Sequence, residues 1–492
     1  MNMLLFPILL PIFAGALLLK LKFPSREARN IYVGIVTVLN SVLLFHLILG
    51  GEQLACSALR LTEHLTIAFK MDGLSRVFCA LIGFLWPLAA LYAFEYMEHE
   101  ENENRFFIFY TMSYGVTAGV AMAGNLFTMY AFYELLTLAT LPLVTHKMDI
   151  KSVHAGRRYL YYSISGAALA FIALIFIMTY GVDSSTTFRL GGVLDLAKVG
   201  ANKNLLLLVF VLAFIGFGAK AAVFPMHAWL PVVSVAPTPV TALLHAVAVV
   251  KSGAFAIIRI IFYCFGADFL HGTWAQMIVV LLSAFTIAYG SVMAVREQHF
   301  KRRLAYSTVS NLSYILLGAA LMTPAGLTGA LTHMLYHGVM KVTLFFCVGA
   351  VLVKTEQEYI QDLRGFSKVM PRTTLVFTIA SLALVGVPPL IGFVSKWNLA
   401  SAAAMDGQWF SLVGMGGLII SAILTAVYLF TIIIPAYTVP VNPPLKHLEN
   451  AKRDPGLGMK VPFALLIIAI IVLSFCSVDL VDWLSGVANG LY

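Results

Sequence analysis

The sequence predicts an all-α polytopic membrane protein, on three observations. The chain of 492 residues is 60% hydrophobic and only 11% charged. Its mean hydropathy is +0.90. Its apolar residues form long continuous runs and not a period-two alternation. A soluble domain of this length needs more charge, and a helix needs about 20 apolar residues to cross the hydrocarbon core. Continuous runs also exclude a transmembrane β-barrel, whose strands alternate.

Read in order, about fourteen runs are long enough to span. They cover 2–20, 31–50, 74–96, 106–123, 125–146, 158–181, 204–224, 238–265, 274–295, 304–322, 326–352, 373–398, 409–436 and 461–485. Very short turns split the pairs at 123/125 and 322/326. The first run has no basic flank and no small-residue cleavage site, so it is expected to remain as a helix and not to be removed as a signal peptide. The longest polar stretches, 51–73, 182–203, 353–372 and 437–460, are loop-sized, so no soluble domain is expected. The acidic run EHEENE (98–103) reads as a solvated helix cap, with a docking surface for a partner subunit as the alternative.

The formal net charge of +9 is mainly topology. Loops after odd-numbered runs hold Lys20, Lys22, Arg26, Arg29, Arg105, Lys147, Lys151, Arg157, Arg158, Arg296, Lys301, Arg302, Arg303, Lys354, Arg364, Lys368, Arg372, Lys446, Lys452, Arg453 and Lys460. The other side holds only Arg60, Lys70, Arg189, Lys198 and Lys203. By the positive-inside rule the odd loops are cytoplasmic and both termini lie outside, in a cytoplasmic (inner) membrane of prokaryotic type. No nucleic-acid partner is expected. The five cysteines (Cys56, Cys79, Cys264, Cys347, Cys476) are scattered. All but Cys56 read as small core residues, so no iron–sulfur, zinc or other cofactor site is expected in this chain.

GFGAKAAVFPMHAWLP (216–231) and GVPPLIGFVSKWN (386–398) each place glycines, a proline and a lysine inside an apolar run. Glycine and proline free backbone groups that lipid does not satisfy, and paired interrupted helices point to a transport site near the midplane. The two stretches fall in the seventh and twelfth runs, which are expected to be broken. Their spacing fits two five-helix repeats in inverted orientation. The chain then divides into 1–105 (helices 1–3), 106–265 (first repeat), 266–436 (second repeat) and 437–492 (loop and final helix).

Six basic residues remain inside runs: Arg76, Lys220, Lys251, Arg259, Lys341 and Lys396. Arg76 and Arg259 lie near enough to helix ends to reach the interface. The four lysines are deeper, where each costs roughly 2.5–3.5 kcal/mol, so a functional role is expected. Glu134 is the one carboxylate deep in a run. It reads as the partner of Lys220, or as part of a structural polar cluster. A carboxylate that moves relative to a lysine switches that lysine between holding and releasing a proton. His245 and Lys251 share a helix but not a stripe. His245 is a proton relay or a satisfied core histidine. His333, His337 and Lys341 follow i, i+4, i+8 spacing and stack on one face over about 12 Å. Metal binding by the two histidines lacks an evident third ligand. Lys396 lies beside the second interrupted stretch.

YELLTLATLPLVTH, the AKAAVFPMHAWLP–SVAPTPVTALLHAVAVVKSG block, HMLYHGVMK and GVPPLIGFVSKW together resemble the Mrp antiporter-like superfamily, over roughly 70–435. That superfamily comprises the proton-pumping membrane subunits of complex I, their counterparts in energy-converting hydrogenases, and large subunits of Mrp-type Na⁺/H⁺ antiporters. The resemblance implies the fourteen-helix inverted-repeat fold and a hydrated polar axis. It gives Glu134 the carboxylate role, Lys220 its partner lysine, Lys251 the connecting lysine and Lys396 the terminal lysine. Lys396 argues against the clade with glutamate there. No long C-terminal lateral helix is expected, because the chain reaches Tyr492 just after one final helix. The wording leans toward the hydrogenase and Mrp-D-like branch.

The favoured function is an ion-translocating (H⁺ and/or Na⁺) subunit of a redox-driven complex. Its expected partners are other membrane subunits, cytoplasmic-side soluble redox subunits and the lipid bilayer. Its redox centres would lie in other chains, so this chain is no complete enzyme. The alternative is a subunit of a Mrp-type Na⁺/H⁺ antiporter without redox chemistry. A membrane anchor that has lost transport fits poorly with the intact lysine series.

Overall fold

The computed structural model describes residues 3–50, 54–62, 65–182, 186–441 and 454–490. Lys446, Lys452 and Arg453 of the basic loops lie outside the described residues. The main helices are α1 (Phe6–Leu17), α2 (Arg26–Leu49), α3 (Gly73–Tyr96), α4 (Glu103–Ala121), α5 (Leu126–Val144) and α6 (Ile150–Tyr180). Next come α7 (Lys203–Gly218) and α8 (Thr238–Phe265). They are followed by α9 (Trp274–Arg296), α10 (Phe300–Ala320), α11 (Pro324–Thr355), α12 (Pro371–Val385) and α13 (Ile391–Met405). The last are α14 (Trp409–Thr438), α15 (Leu457–Phe475) and α16 (Ser477–Ala488). Among the described residues, ten helices are long and apolar enough to cross a membrane, with shorter apolar helices at Met3–Leu17 and Pro371–Val385.

Burial grades across the bundle. α8 and α11 are enclosed on nearly all sides, whereas α2, α6, α14 and α15 keep broad outward apolar faces. Outward leucine and isoleucine suit a lipid or subunit boundary. The first run packs as a helix against α4. A Cβ on Gly115 would lie 2.2 Å from the Ile8 carbonyl oxygen, and one on Gly15 would lie 2.6 Å from Met112 Cγ. Small residues permit this close crossing. Gly115→Val should therefore push α1 off α4 and sharply lower the yield of assembled protein in detergent extracts, whereas Gly34→Ala, at a looser contact, should not.

Several boundaries differ from the sequence expectation. Helix α6 starts at Ile150, well before the apolar run, because Asp149 Oδ1 accepts the Ser152 N–H at 2.7 Å and caps it in polar surroundings. The polar stretch 51–73 contains an antiparallel hairpin, β1 (Ala55–Arg60) with β2 (Thr66–Lys70). Asn125 Nδ2 ties it to α5 by donating to the Thr66 carbonyl at 2.7 Å. The last run is two helices that part at Cys476, not one. The EHEENE run is exposed at Glu98, His99, Glu101 and Asn102, and its other two residues are ion-paired. Glu103 meets Arg26 at 2.7 Å and also Arg29, and Glu100 meets Lys147 at 3.2 Å.

Arg76 and Arg259 do not reach the interface, since both are buried. Arg259 donates from both Nη atoms to the two Asp72 carboxylate oxygens at 2.7 Å, and to Ser75 Oγ at 3.0 Å. The rings of Phe188, Phe255 and Tyr263 surround its guanidinium. Asp72 also caps α3 through the Ser75 N–H. The segment bearing Phe188 covers this end of α8, so the arginine meets protein and not solvent. Arg259→Met alone should destabilise the chain by roughly 3–5 kcal/mol, because it leaves a buried carboxylate unpaired. Asp72→Asn added to it should recover part of that loss in a detergent unfolding assay.

Candidate functional site: a buried file of titratable groups

Each of the eight singled-out residues lies on a helix of this bundle or in the stretch just after α7. Asn125 Oδ1 accepts the Thr128 N–H at 2.7 Å and starts α5, which carries Glu134 near its middle. Helix α7 ends at Gly218, and the chain runs through turns before a short helix at Trp229–Val232. Lys220 sits at the head of that stretch. Its Nζ lies 3.3 Å from Glu134 Oε1, donates to the Tyr133 carbonyl, and stands 3.4 Å from the Tyr133 ring centroid. The lysine side chain is 1% exposed, but the glutamate is 27% exposed. One partner is sealed in the chain while the other reaches its surface.

Helix α8 approaches Lys220 through Gly253. A Cβ there would lie 2.5 Å from the Ala221 nitrogen and 3.1 Å from Lys220 Cβ. Two residues earlier on α8 is Lys251, whose Nζ is 2.7 Å from His337 Nδ1 of α11. An ammonium has only donors, and a doubly protonated imidazole also has only donors. The bond therefore requires a free lone pair on one of the two nitrogens. The two nitrogens are therefore not both fully protonated, and the contact lies at a distance over which a proton can pass between them.

The other members of the α11 face point to different partners. His333 Nδ1 is 3.0 Å from Ser395 Oγ of α13, and its ring lies 5.6 Å from that of His337 and 5.0 Å from Tyr314. Lys341 donates to Ser307 Oγ at 2.7 Å and to the Leu304 carbonyl at 3.0 Å. Ser307 in turn meets the Tyr428 hydroxyl at 2.5 Å. Lys396 donates to the Leu384 and Val385 carbonyls at 2.8 and 2.9 Å. Those are the last carbonyls of α12, where the helix dipole favours a cation.

His245 stands apart. It lies in a π-helical stretch, Leu243–Val247, against Phe345, and neither ring nitrogen has a protein hydrogen-bond partner. π-Helical turns recur at functional positions. Ser252 Oγ, Ser313 Oγ and His337 Nε2 are likewise buried without a protein partner. Polar atoms in this position are usually served by ordered water.

Lys251, given the connecting role by resemblance, is bonded to His337 on a helix of the second half. Sequence reasoning did not name that pairing. It missed His227, buried between Phe224 and Tyr289 in the stretch after α7. It also missed the hydroxyls of Ser307, Ser395, Tyr314 and Tyr428. Hydroxyls are common in spans and carry no signal alone, whereas a histidine seven residues past a buried lysine could have been found. Among the described residues, no three His, Cys, Asp or Glu side chains converge as metal ligands.

Residues 123–425 match the family model described as NADH:quinone oxidoreductase/Mrp antiporter, TM. Residues 61–107 match the model for the N-terminus of NADH-ubiquinone oxidoreductase (complex I) chain 5. The chain is 32% identical to NADH-quinone oxidoreductase subunit N of Desulforudis audaxviator, over 85% of this chain and 83% of that one. It is 30% identical to hydrogenase-4 component B of Escherichia coli, over 80% of this chain but only 60% of that one. A chain of the membrane-bound sulfane sulfur reductase, an archaeal respiratory membrane complex, shares the fold with a TM-score of 0.84 at 21% identity, covering 99% of this chain and 96% of that one. The chain belongs to the family of antiporter-like membrane subunits described as NADH:quinone oxidoreductase/Mrp antiporter.

Proposed function

We propose that this chain is the proton-translocating membrane subunit of a redox-driven complex. The observation that carries this reading is the Lys251–His337 bond at the enclosed centre of the bundle. Glu134 and Lys220 lie on one side of it, and His333, Ser395 and Lys396 on the other. The file is built of amines, imidazoles and hydroxyls with a single carboxylate. Amines and imidazoles exchange protons and are poor ligands for sodium, so the chemistry of this file suits protons.

In this reading the chain spans the membrane about fourteen times, counting helices such as α4 and α10 that are less apolar. Helices α4–α8 and α9–α14 form two inverted repeats. The stretch after Gly218 breaks the seventh span, and the stretch between Val385 and Ile391 breaks the twelfth. A lysine beside each break supports this reading. The basic loops face the cytoplasm and both termini lie outside.

Glu134 is a carboxylate partly exposed between outward-facing Leu135 and Leu138. Lipid does not solvate such a group, so a second membrane subunit covers it. Soluble redox subunits dock on the cytoplasmic side and hold the electron carriers. Near-complete overlap with the quinone oxidoreductase subunit favours redox drive over a free-standing antiporter. The test is the purified complex in sealed vesicles. Turnover with the electron donor should acidify one compartment, and a protonophore should abolish the gradient. Sodium-gradient-driven proton movement in a complex without redox activity would replace this reading with the antiporter one.

A further inference from the structure

At the end of the bundle that carries basic loops lies a cavity of about 820 Å³. It is lined by, among others, Tyr96, Glu100, Lys147, Ser234, His299 and Glu358, contributed from α3, the α3–α4, α5–α6 and α9–α10 loops, the stretch before α8 and the segment after α11. Lys301, in the first turn of α10, lines it as well, but its side chain is buried. Its Nζ points inward and donates to the Ala236 carbonyl at 3.0 Å. That carbonyl also accepts from Thr241 Oγ1 at 3.2 Å. Thr241 is one helical turn from His245, about 6 Å along α8. Ser234 Oγ, at the wall of the cavity, and both His245 nitrogens are buried without protein partners.

We infer that this cavity is the antechamber from which protons reach the central file, and that Lys301 passes them to His245. The inference rests on the proton reading above. In the step, the Lys301 ammonium gives one proton to a free His245 nitrogen, directly or through water held near Thr241. The resulting amine is re-protonated from the cavity, so protons and charge balance over one passage. Mixed charge in the cavity suits this use. Glu100, Glu358 and the His299 ring collect protons, while Lys147 and Arg302 oppose the accumulation of metal cations.

The test uses the intact complex in sealed vesicles, with proton uptake followed by a pH-sensitive dye. Lys301→Arg keeps the charge and a donor for Ala236, but a guanidinium does not release its proton. It should assemble normally and slow uptake by on the order of tenfold or more. Lys301→Ala should be slowed similarly, and Lys301→His, which keeps a proton-exchanging group, should recover part of the uptake. Wild-type uptake in Lys301→Arg, or a His variant as slow as the Ala one, would overturn the inference. Glu134→Gln run in parallel separates the two readings. If it stops pumping while Lys301→Arg pumps normally, only the antechamber assignment falls. If both pump normally, the proposed function falls with it.

Discussion

Lys251→Ala should lower coupled proton movement by on the order of a hundredfold or more, while the complex assembles and electron transfer to an added acceptor continues. The expectation comes from position. Lys251 on α8 and His337 on α11 form a direct bond that links the two halves of the file. Lys251→Arg should fail almost as completely, since a guanidinium keeps its proton and leaves His337 with no group to exchange with. His337→Gln should fall into the same class. Gradient formation per electron transferred, measured in vesicles, checks all three. Normal gradients in Lys251→Arg would show that its charge matters and its proton exchange does not.

Glu134→Gln should give the second-largest loss. Among the described residues it removes the only carboxylate paired with Lys220, whose side chain is otherwise closed off from solvent. Lys220 then either discharges permanently or remains a buried cation without a counter-charge, and in both cases it no longer cycles. Gradient formation should fall by on the order of tenfold or more. Glu134→Asp, shorter by one methylene, should retain a measurable part. Lys220→Ala should resemble Glu134→Gln, and the double variant should be little worse than either single one. That non-additivity, read as coupling in a double-mutant cycle, distinguishes a working pair from two independent sites.

The part of this architecture that could be read from sequence is the part with large energetic contrast. A lysine in an apolar run has few innocent explanations, so Lys220, Lys251, Lys341 and Lys396 stood out. The glycine and proline clusters coincide with the ends of α7 and α12, because those residues cannot continue a helix unaided. What escaped depends on distant partners. Asp72 and Arg259 are separated by 187 positions, and each alone looks like a helix-end charge. The Lys251–His337 bond crosses 86 positions, so it could not be preferred over a pairing within the first half. The β1–β2 hairpin escaped because its strands are short and are held in part by Asn125. Helix ends were blurred where capping residues such as Asp149 extend a helix beyond its apolar run.

The nitrogen-to-nitrogen bond between Lys251 and His337 also limits how many ions the chain can move at once. Because one of the two must offer a lone pair, a second proton arriving at this point breaks the bond and sets two positive charges side by side. At a separation of about 5 Å and an effective dielectric near 20, that repulsion is about 3 kcal/mol, on the order of a hundredfold in occupancy. In the proposed reading, protons therefore pass this point in single file, each leaving before the next is admitted.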